Sequence, residues 1–489
     1  MHSPIRPSLF LLSNSLVDAI IDEAFEVLEK VGVMIENPEV FQLLSDGGAR
    51  ATGQRIFLPR GMVESALATA PSAVTLYDCR GENPRLLAGE NIHFDPGSAA
   101  LRIFDHSTQT QREATTADLV KFHRLVDRLE NITLQSTGLV SSDVPSQIAD
   151  AHRLWIALQN CVKPIVTGIF TVEGFGPMFE MLAIVRGSGS ALRAKPLAVF
   201  DACPSPPLKW STLTAQSVLD CARAGIPSEF VAMPMTGATA PVTLTGAVVQ
   251  HTAENLSGIV FAQLAQPGAP VIFGGSPAAF DMRAGTLPMG AIETMMIDVA
   301  YAQIGKALNL PTHAYMGLSD SKCVDVQAGL ETGMGAVLAA LAGINVISGP
   351  GMLDYENCQS LEKLVIDNEI CGMTLRLVEG IRQREEPMAL QLLAELVPGG
   401  GDFLTSAHTL RWLREEHRFP RVIDRGNTQQ WLNDGRPTLP DRASHRVTDL
   451  LTGPPPEWIA PDTTKELRRV MESYARRNGM ENLPLLPVH

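Results

Sequence analysis

Eight short apolar runs, each ending in small or polar residues and each followed by a helical stretch, succeed one another along the middle of the chain. That alternation restricts the fold more than any other feature, because strands separated by helices must pair in parallel, with helices covering the sheet. The runs are SAALRIF (98–104), NITLQSTGLV (131–140), PIVTGIF (164–170), LAVFDAC (197–203), EFVAMPM (229–235), PVIFGG (270–275), THAYMG (312–317) and NVISG (345–349). Each is short enough to be a strand buried on both faces. Between them, TTADLVKFHRLVDRL (115–129) sets Leu119, Phe122, Val126 and Leu129 at helical spacing behind Thr116 as a cap, and several other helical patterns close on glycine. Eight such units match the usual barrel of about 250 residues. The expected class is therefore α/β, a (β/α)8 TIM barrel; a doubly wound open sheet is the alternative reading.

The expected boundaries are an N-terminal helical extension with short strands over 1–96, a catalytic barrel over 97–381, and a helical, Pro-rich extension packed on the barrel over 382–489. Apolar content of 45% and charged content of 19% fit a globular enzyme, and a formal charge of −14 argues against a nucleic-acid partner. No apolar run is long enough for a membrane span, and the first residues read as an amphipathic helix, so a cytoplasmic location is expected. The seven cysteines stand singly, which indicates neither a disulfide framework nor a zinc site.

In a β/α barrel the chemistry lies just after the strands. Those positions hold Gly, Ser, Thr, Met and aromatic residues, without HxH, HExxH, GxSxG or a phosphate loop. His313 stands alone on a strand, as apt to be a satisfied pocket histidine as a catalytic one. The densest polar stretch, GLSDSKCVDVQAGLE (317–331), offers Asp320, Lys322, Asp325, Gln327 and Glu331. Its plain reading is an Asp320–Lys322 pair bracing the loop. Asp354, Tyr355 and Glu356 follow the last strand, whereas Glu362 and Lys363 read as a solvated helix face.

Four segments, 233–275, DMRAGTLPMGAIE (281–293), LSDSKCVDVQAGLE (318–331) and SLEKLVIDNEI (360–370), resemble the trimethylamine:corrinoid methyltransferase family, including its glycine betaine branch. The resemblance runs from the N-terminal helix to at least residue 380. It implies a barrel whose mouth binds a methylated amine and is capped by a separate protein carrying the corrinoid (cobalamin) cofactor, with no tightly bound metal or nucleotide. The trimethylamine enzymes of methanogens carry pyrrolysine near the mouth. Residues 315–335 here are all ordinary, so the chain resembles the non-pyrrolysine branch, which uses quaternary amines such as glycine betaine.

A quaternary ammonium already makes its amine a neutral leaving group, which leaves the enzyme chiefly to position one methyl and exclude water. Its N-methyl groups donate no ordinary hydrogen bonds, so aromatic faces and carboxylates are the natural lining. The substrate-binding candidates are Phe170, Asp201, Phe273, Tyr315, Lys322, Asp354 and Tyr355, with Lys322 as a partner for a substrate carboxylate. The catalytic candidates are His313, Asp320 and Glu331. Gly237, Gly274, Gly275, Gly317, Gly349 and Gly351 would let the flat cofactor approach the backbone. A tertiary amine or another acceptor, and a non-catalytic betaine-binding protein, are the competing readings. A homo-oligomer is expected from the size of the barrel.

Overall fold

The computed structural model describes residues 5–454 and 458–485. Eight parallel strands form its centre: β1 (His93–Asp95), β2 (Gln135–Ser136), β3 (Ile165–Gly168), β4 (Ala198–Ala202), β5 (Ser228–Phe230), β6 (Val271–Gly275), β7 (Thr312–Ala314) and β8 (Val346–Ser348). They are hydrogen-bonded in chain order from β2 to β8, and β8 then pairs with β1. The circle closes where the N–H groups of Thr133 and Leu134, just before β2, donate to the carbonyl of Phe94 at 3.0 and 3.2 Å. A helix follows each strand: α1 (Thr116–Asp127), α2 (Ala149–Asn160), α3 (Phe175–Arg186), α4 (Thr212–Ala224), α5 (Leu244–Ala265), α6 (Ile292–Ala307), α7 (Val326–Leu341) and α8 (Leu361–Val378).

Six of the eight strands fall within the runs expected from the sequence, and β5 begins one residue before its run; the first strand does not match. SAALRIF (98–104) alternates like a strand, but its ordered part, Arg102–Asp105, pairs antiparallel with Thr110–Glu113 and joins a small sheet at the mouth. The barrel strand is instead the three-residue HFD before Pro96. The cap of α1 also shifts by one residue. Thr115 and Asp118 form a reciprocal capping box, while Thr116 is the first helical residue.

Period-two alternation sends every second strand residue inward. The lower interior is a dry layer of Leu134, Val166, Val199, Ile272 and Val346, sealed from below by Val74, Leu76 and Leu87 of an antiparallel hairpin. Outside the barrel, α5 is buried over nearly its whole length because N-terminal helices Asn14–Glu26 and Arg60–Thr69 pack against it. Helices Leu439–Leu451 and Pro461–Arg477 lie on α8 and on α3 respectively. Three intervening helices, Leu390–Leu396, Ala407–Glu416 and Thr428–Asn433, contain no buried residue. Among the described residues no helix is long and apolar enough to cross a membrane.

Candidate functional site

Directly above the dry layer the inward positions become acidic. Asp95, Asp201 and Glu229 come from β1, β4 and β5, and Asp201 and Glu229 are direct partners across neighbouring strands. Asp95 and Glu229 are fully buried on the floor, while Asp201 keeps partial exposure toward the mouth. The Ser348 hydroxyl of β8 donates to Asp95 at 2.6 Å, and His313 Nε2 lies 3.0 Å from that hydroxyl and 3.2 Å from Glu229 Oε1. The Tyr315 hydroxyl donates to Asp201 at 3.4 Å. Asp95 Oδ1, Asp201 Oδ1 and both Glu229 oxygens nevertheless receive no hydrogen bond from an N–H or hydroxyl group among the described residues.

Such a floor sets its own charge state. Burial lifts the Asp95 carboxyl well above the usual range, and burial reinforced by Asp201 and Asp95 does the same to Glu229. Asp201 is raised by burial, against the opposing pull of hydrogen bonds from Glu229 and Tyr315 and of the Arg153 charge. Two contacting carboxylates of this kind hold a proton between them, because like charges at that separation cannot both ionise in a desolvated site. His313 is pushed down to about 3 by burial and is neutral at physiological pH. It stands against the Ser348 hydroxyl and Glu229 as an imidazole, not an imidazolium.

Arg153 of α2 is the cation facing this cluster. It is almost fully buried, donates to the Thr137 carbonyl at 2.7 Å and lies 4.3 Å from the centre of the Phe170 ring. Phe170 thus stacks on a protein cation at the rim. Phe273 faces the other way, outward between barrel and helices against His251 and Tyr301, so it is no part of a cage. Its place in the strand decides this, since Ile272 beside it belongs to the interior layer.

Above the floor stands the tip of a hairpin formed by Met352–Leu353 and Cys358–Gln359. Asp354, Tyr355 and Glu356 occupy it with φ of 52°, 56° and 67°, three consecutive left-handed residues without a glycine. Each such residue costs about 1 kcal/mol or more, so the tip must be held by its neighbours. The Asp354 N–H donates to Ser321 O at 2.9 Å, and the Lys322 ammonium lies 4.0 Å from the Tyr355 ring centre and 3.8 Å from the Asp354 carboxylate. Glu356, on the inner side, has a buried Oε1 without a partner and is raised by burial and by Asp201, Asp320 and Asp95. Lys322 does not pair with the Asp320 side chain. Its ammonium donates to the Asp320 carbonyl, and the carboxylate accepts the Met289 and Gly290 N–H groups at 2.9 and 2.8 Å. Glu331 is likewise saturated, by Ser319, Asp320 N and Gln327. Asp320 therefore braces the loop that precedes α6, and Glu331 the loop that precedes α7.

The glycines serve the fold. Gly274 and Gly275 are buried, and a side chain there would collide with His313 and His251; Gly349 and Gly351 are closed off by Met316 and Gln359. Gly317 and Gly237 take positive φ, and Gly237 alone of the six is exposed at the rim, beside Met282. Lys363 and Glu362 are also buried, not solvated: Lys363 donates to Thr332 and Asp367 behind the hairpin. Asp95, Glu229 and Arg153 escaped the sequence reading. A carboxylate inside an otherwise apolar run, such as Glu229 before Phe230, is the signal that marks such a residue, since an unpaired charge is not buried without a reason.

Beside the hairpin tip lies an open cavity of about 660 Å³ lined by Phe280, Met282, Pro288, Asp320, Glu331 and Tyr355 among others. A closed barrel with a dry base, an acidic inner mouth and an open outer cavity is the architecture of a small-molecule enzyme. The chain belongs to the trimethylamine methyltransferase family, whose profile matches residues 3–480, and it is a methyltransferase. It is 31% identical to the trimethylamine methyltransferase MttB of Desulfitobacterium hafniense, covering 96% of this chain and 94% of that one. It is 30% identical to a glycine betaine methyltransferase of the same species, covering 98% and 99%. Among solved structures it resembles the monomethylamine methyltransferase of Methanosarcina barkeri, at 12% identity and a TM-score of 0.53 over 91% of this chain and 89% of that one, a likeness of fold.

Proposed function

We propose that this methyltransferase removes a methyl group from a small quaternary amine of the glycine betaine type and passes it to the corrinoid of a partner protein. The observation that carries the reading is the inner mouth itself. Carboxyl groups from three strands and the hairpin tip converge there with unpartnered oxygens, facing one cation, Arg153. Such a lining favours a ligand that brings positive charge. Tyr315 supplies an aromatic wall beside Asp201, and Tyr355 stands at the outer rim. Arg153, held down to about 10 by burial and still charged at neutral pH, is a better partner for a substrate carboxylate than Lys322, which is engaged outside.

The outer cavity suits a flat macrocycle carried by another protein. Phe280, Met282, Pro288 and Tyr355 present apolar faces there, and Gly237 leaves the rim low. The reduced corrinoid, when presented, supplies a Co(I) nucleophile for the methyl group. This chain's residues hold the ammonium below it, exclude water through the dry base and walls, and fix one N–CH3 bond toward the opening. A tertiary amine is the second reading, favoured by one fact: the protonated carboxyls of the floor could supply a proton to a more basic leaving amine.

The test is anaerobic methylation of free Co(I) cobalamin, followed by absorbance, with glycine betaine, proline betaine, carnitine, choline and trimethylamine offered separately. Transfer from a quaternary amine and none from trimethylamine is expected. Transfer from trimethylamine alone moves the assignment to the tertiary reading, and no transfer from any of them refutes the reaction.

A further inference from the structure

We propose that the Asp201–Glu229 carboxyl pair exchanges its shared proton for the substrate cation, so that each quaternary ammonium bound expels one proton and each neutral amine released takes one back. The inference rests on the quaternary-amine reading above and goes beyond it, from what the site binds to how its charge is kept balanced.

The geometry carries it. Asp201 and Glu229 stand opposite one another on adjacent strands with their carboxyls in contact, and among the described residues no N–H or hydroxyl group donates to either Glu229 oxygen. Glu229 is fully buried, so a bare dianionic pair would leave charge desolvated and unpaired at a cost of several kcal/mol. Something positive must fill the gap: a proton in the empty site, the ammonium in the filled one. The flanking groups set the same balance from every side. Asp95 on β1 and Glu356 on the hairpin tip oppose a second negative charge; Arg153 on α2 and the Tyr315 hydroxyl on β7 stabilise the first, on Asp201. His313 stands neutral against Glu229, and Cys203, two residues beyond Asp201, is pushed up to about 12 and stays a thiol. Asp298 on α6, near Glu356, is held up by burial as well. Asp201 keeps some exposure, whereas Glu229 has none, so the pair meets solvent on the Asp201 side.

The cycle balances. Binding takes in one ammonium cation and releases one proton. On transfer the C–N bond breaks with its electron pair left on nitrogen, and the methyl group goes to the reduced corrinoid, which supplies the pair for the new bond. The amine leaves uncharged, and the carboxyl pair recovers a proton from water.

The experiment is isothermal titration of the full chain, without corrinoid, with glycine betaine and with tetramethylammonium chloride, in phosphate and in Tris. The difference in heat between the buffers reads proton release directly. About one proton per cation is expected at neutral pH, with the association constant rising roughly tenfold per pH unit below the pair's titration and levelling above it. Glu229→Gln leaves Asp201 beside the Arg153 charge and the Tyr315 hydroxyl, and the folded variant should bind without proton release; Asp201→Asn leaves the buried Glu229 acid without its partner and should bind more weakly. Binding whose heat is the same in both buffers and whose affinity is flat in pH overturns the exchange and leaves the quaternary-amine reading intact. Undiminished proton release in both variants also overturns it. Failure of the unaltered chain to bind either cation overturns both.

Discussion

Lys363→Met should loosen the mouth from behind. Lys363, in the first turn of α8, is 1% exposed and donates to Thr332 Oγ1 at 2.7 Å and to Asp367 Oδ2 at 2.5 Å, and that same oxygen accepts the Gly351 N–H at 2.6 Å. The ammonium thus ties α8 to α7 and, through Asp367, to the hairpin that carries Glu356. Removing one member of a buried ion pair costs about 3–5 kcal/mol. Burial already raises Asp367 despite its partner, so without Lys363 that carboxyl takes a proton, which caps the loss near about 3 kcal/mol. Hydrogen exchange measured by mass spectrometry reads this locally. At 1.4 kcal/mol per decade, peptides spanning 349–367 should exchange roughly 100-fold faster, while peptides of α5 keep their rates. Lys363→Met with Asp367→Leu should recover most of the protection, since no lone charge remains. A change under about threefold in the single variant, or equal acceleration everywhere, would refute the claim that the pair anchors the mouth.

Gly258→Ala should destabilise the fold by about 1–3 kcal/mol in thermal unfolding, because the added methyl meets the rings of Trp210 and Phe230 in a filled core; an unchanged melting temperature would contradict that packing. Asp118 caps α1 and pairs with Arg112 at 2.7 and 2.8 Å, which holds its carboxyl below the ordinary value although burial opposes this. Its contribution is therefore present above pH about 4 and lost as pH falls through the lower folded value, so acid unfolding of Asp118→Asn should start from a lower plateau and show a shallower limb. Cys203, pushed up to about 12 by burial and by Asp201, Glu229 and Glu356, should resist iodoacetamide at pH 8 until the chain is unfolded; peptide mapping that finds it alkylated promptly would show a thiolate there.

The barrel was legible because each β/α unit repeats one pattern, and seven independent matches outweigh a local error. The error at the first strand has a local cause. HFD is three residues with a histidine, and the longer alternating run after Pro96 is a true strand that belongs to a different sheet. The site was harder to read. Tyr315, Asp201 and the 354–356 stretch were found by their position after strands, and the structure gathers them at one mouth. Phe273 was misjudged because strand-end position does not give the face a side chain takes. Lys363 and Glu362 were misjudged because a charge pair at helical spacing looks the same in water and in a core. Asp95 and Arg153 became neighbours of the site only through closure of the barrel, which joins β1 to β8 and brings α2 against the mouth.

The hairpin that seals the base leaves the mouth as the end of the barrel through which ligands pass. Val74, Leu76 and Leu87 fill the far end with buried apolar side chains, so a ligand at Asp201 enters and leaves by the mouth in the proposed reaction. In that reaction the methyl acceptor occupies the mouth during transfer. The amine must then enter before the partner docks, and the demethylated product must wait beneath it until the partner leaves. Turnover becomes a queue with a compulsory order, in which excess partner protein obstructs the substrate and product alike.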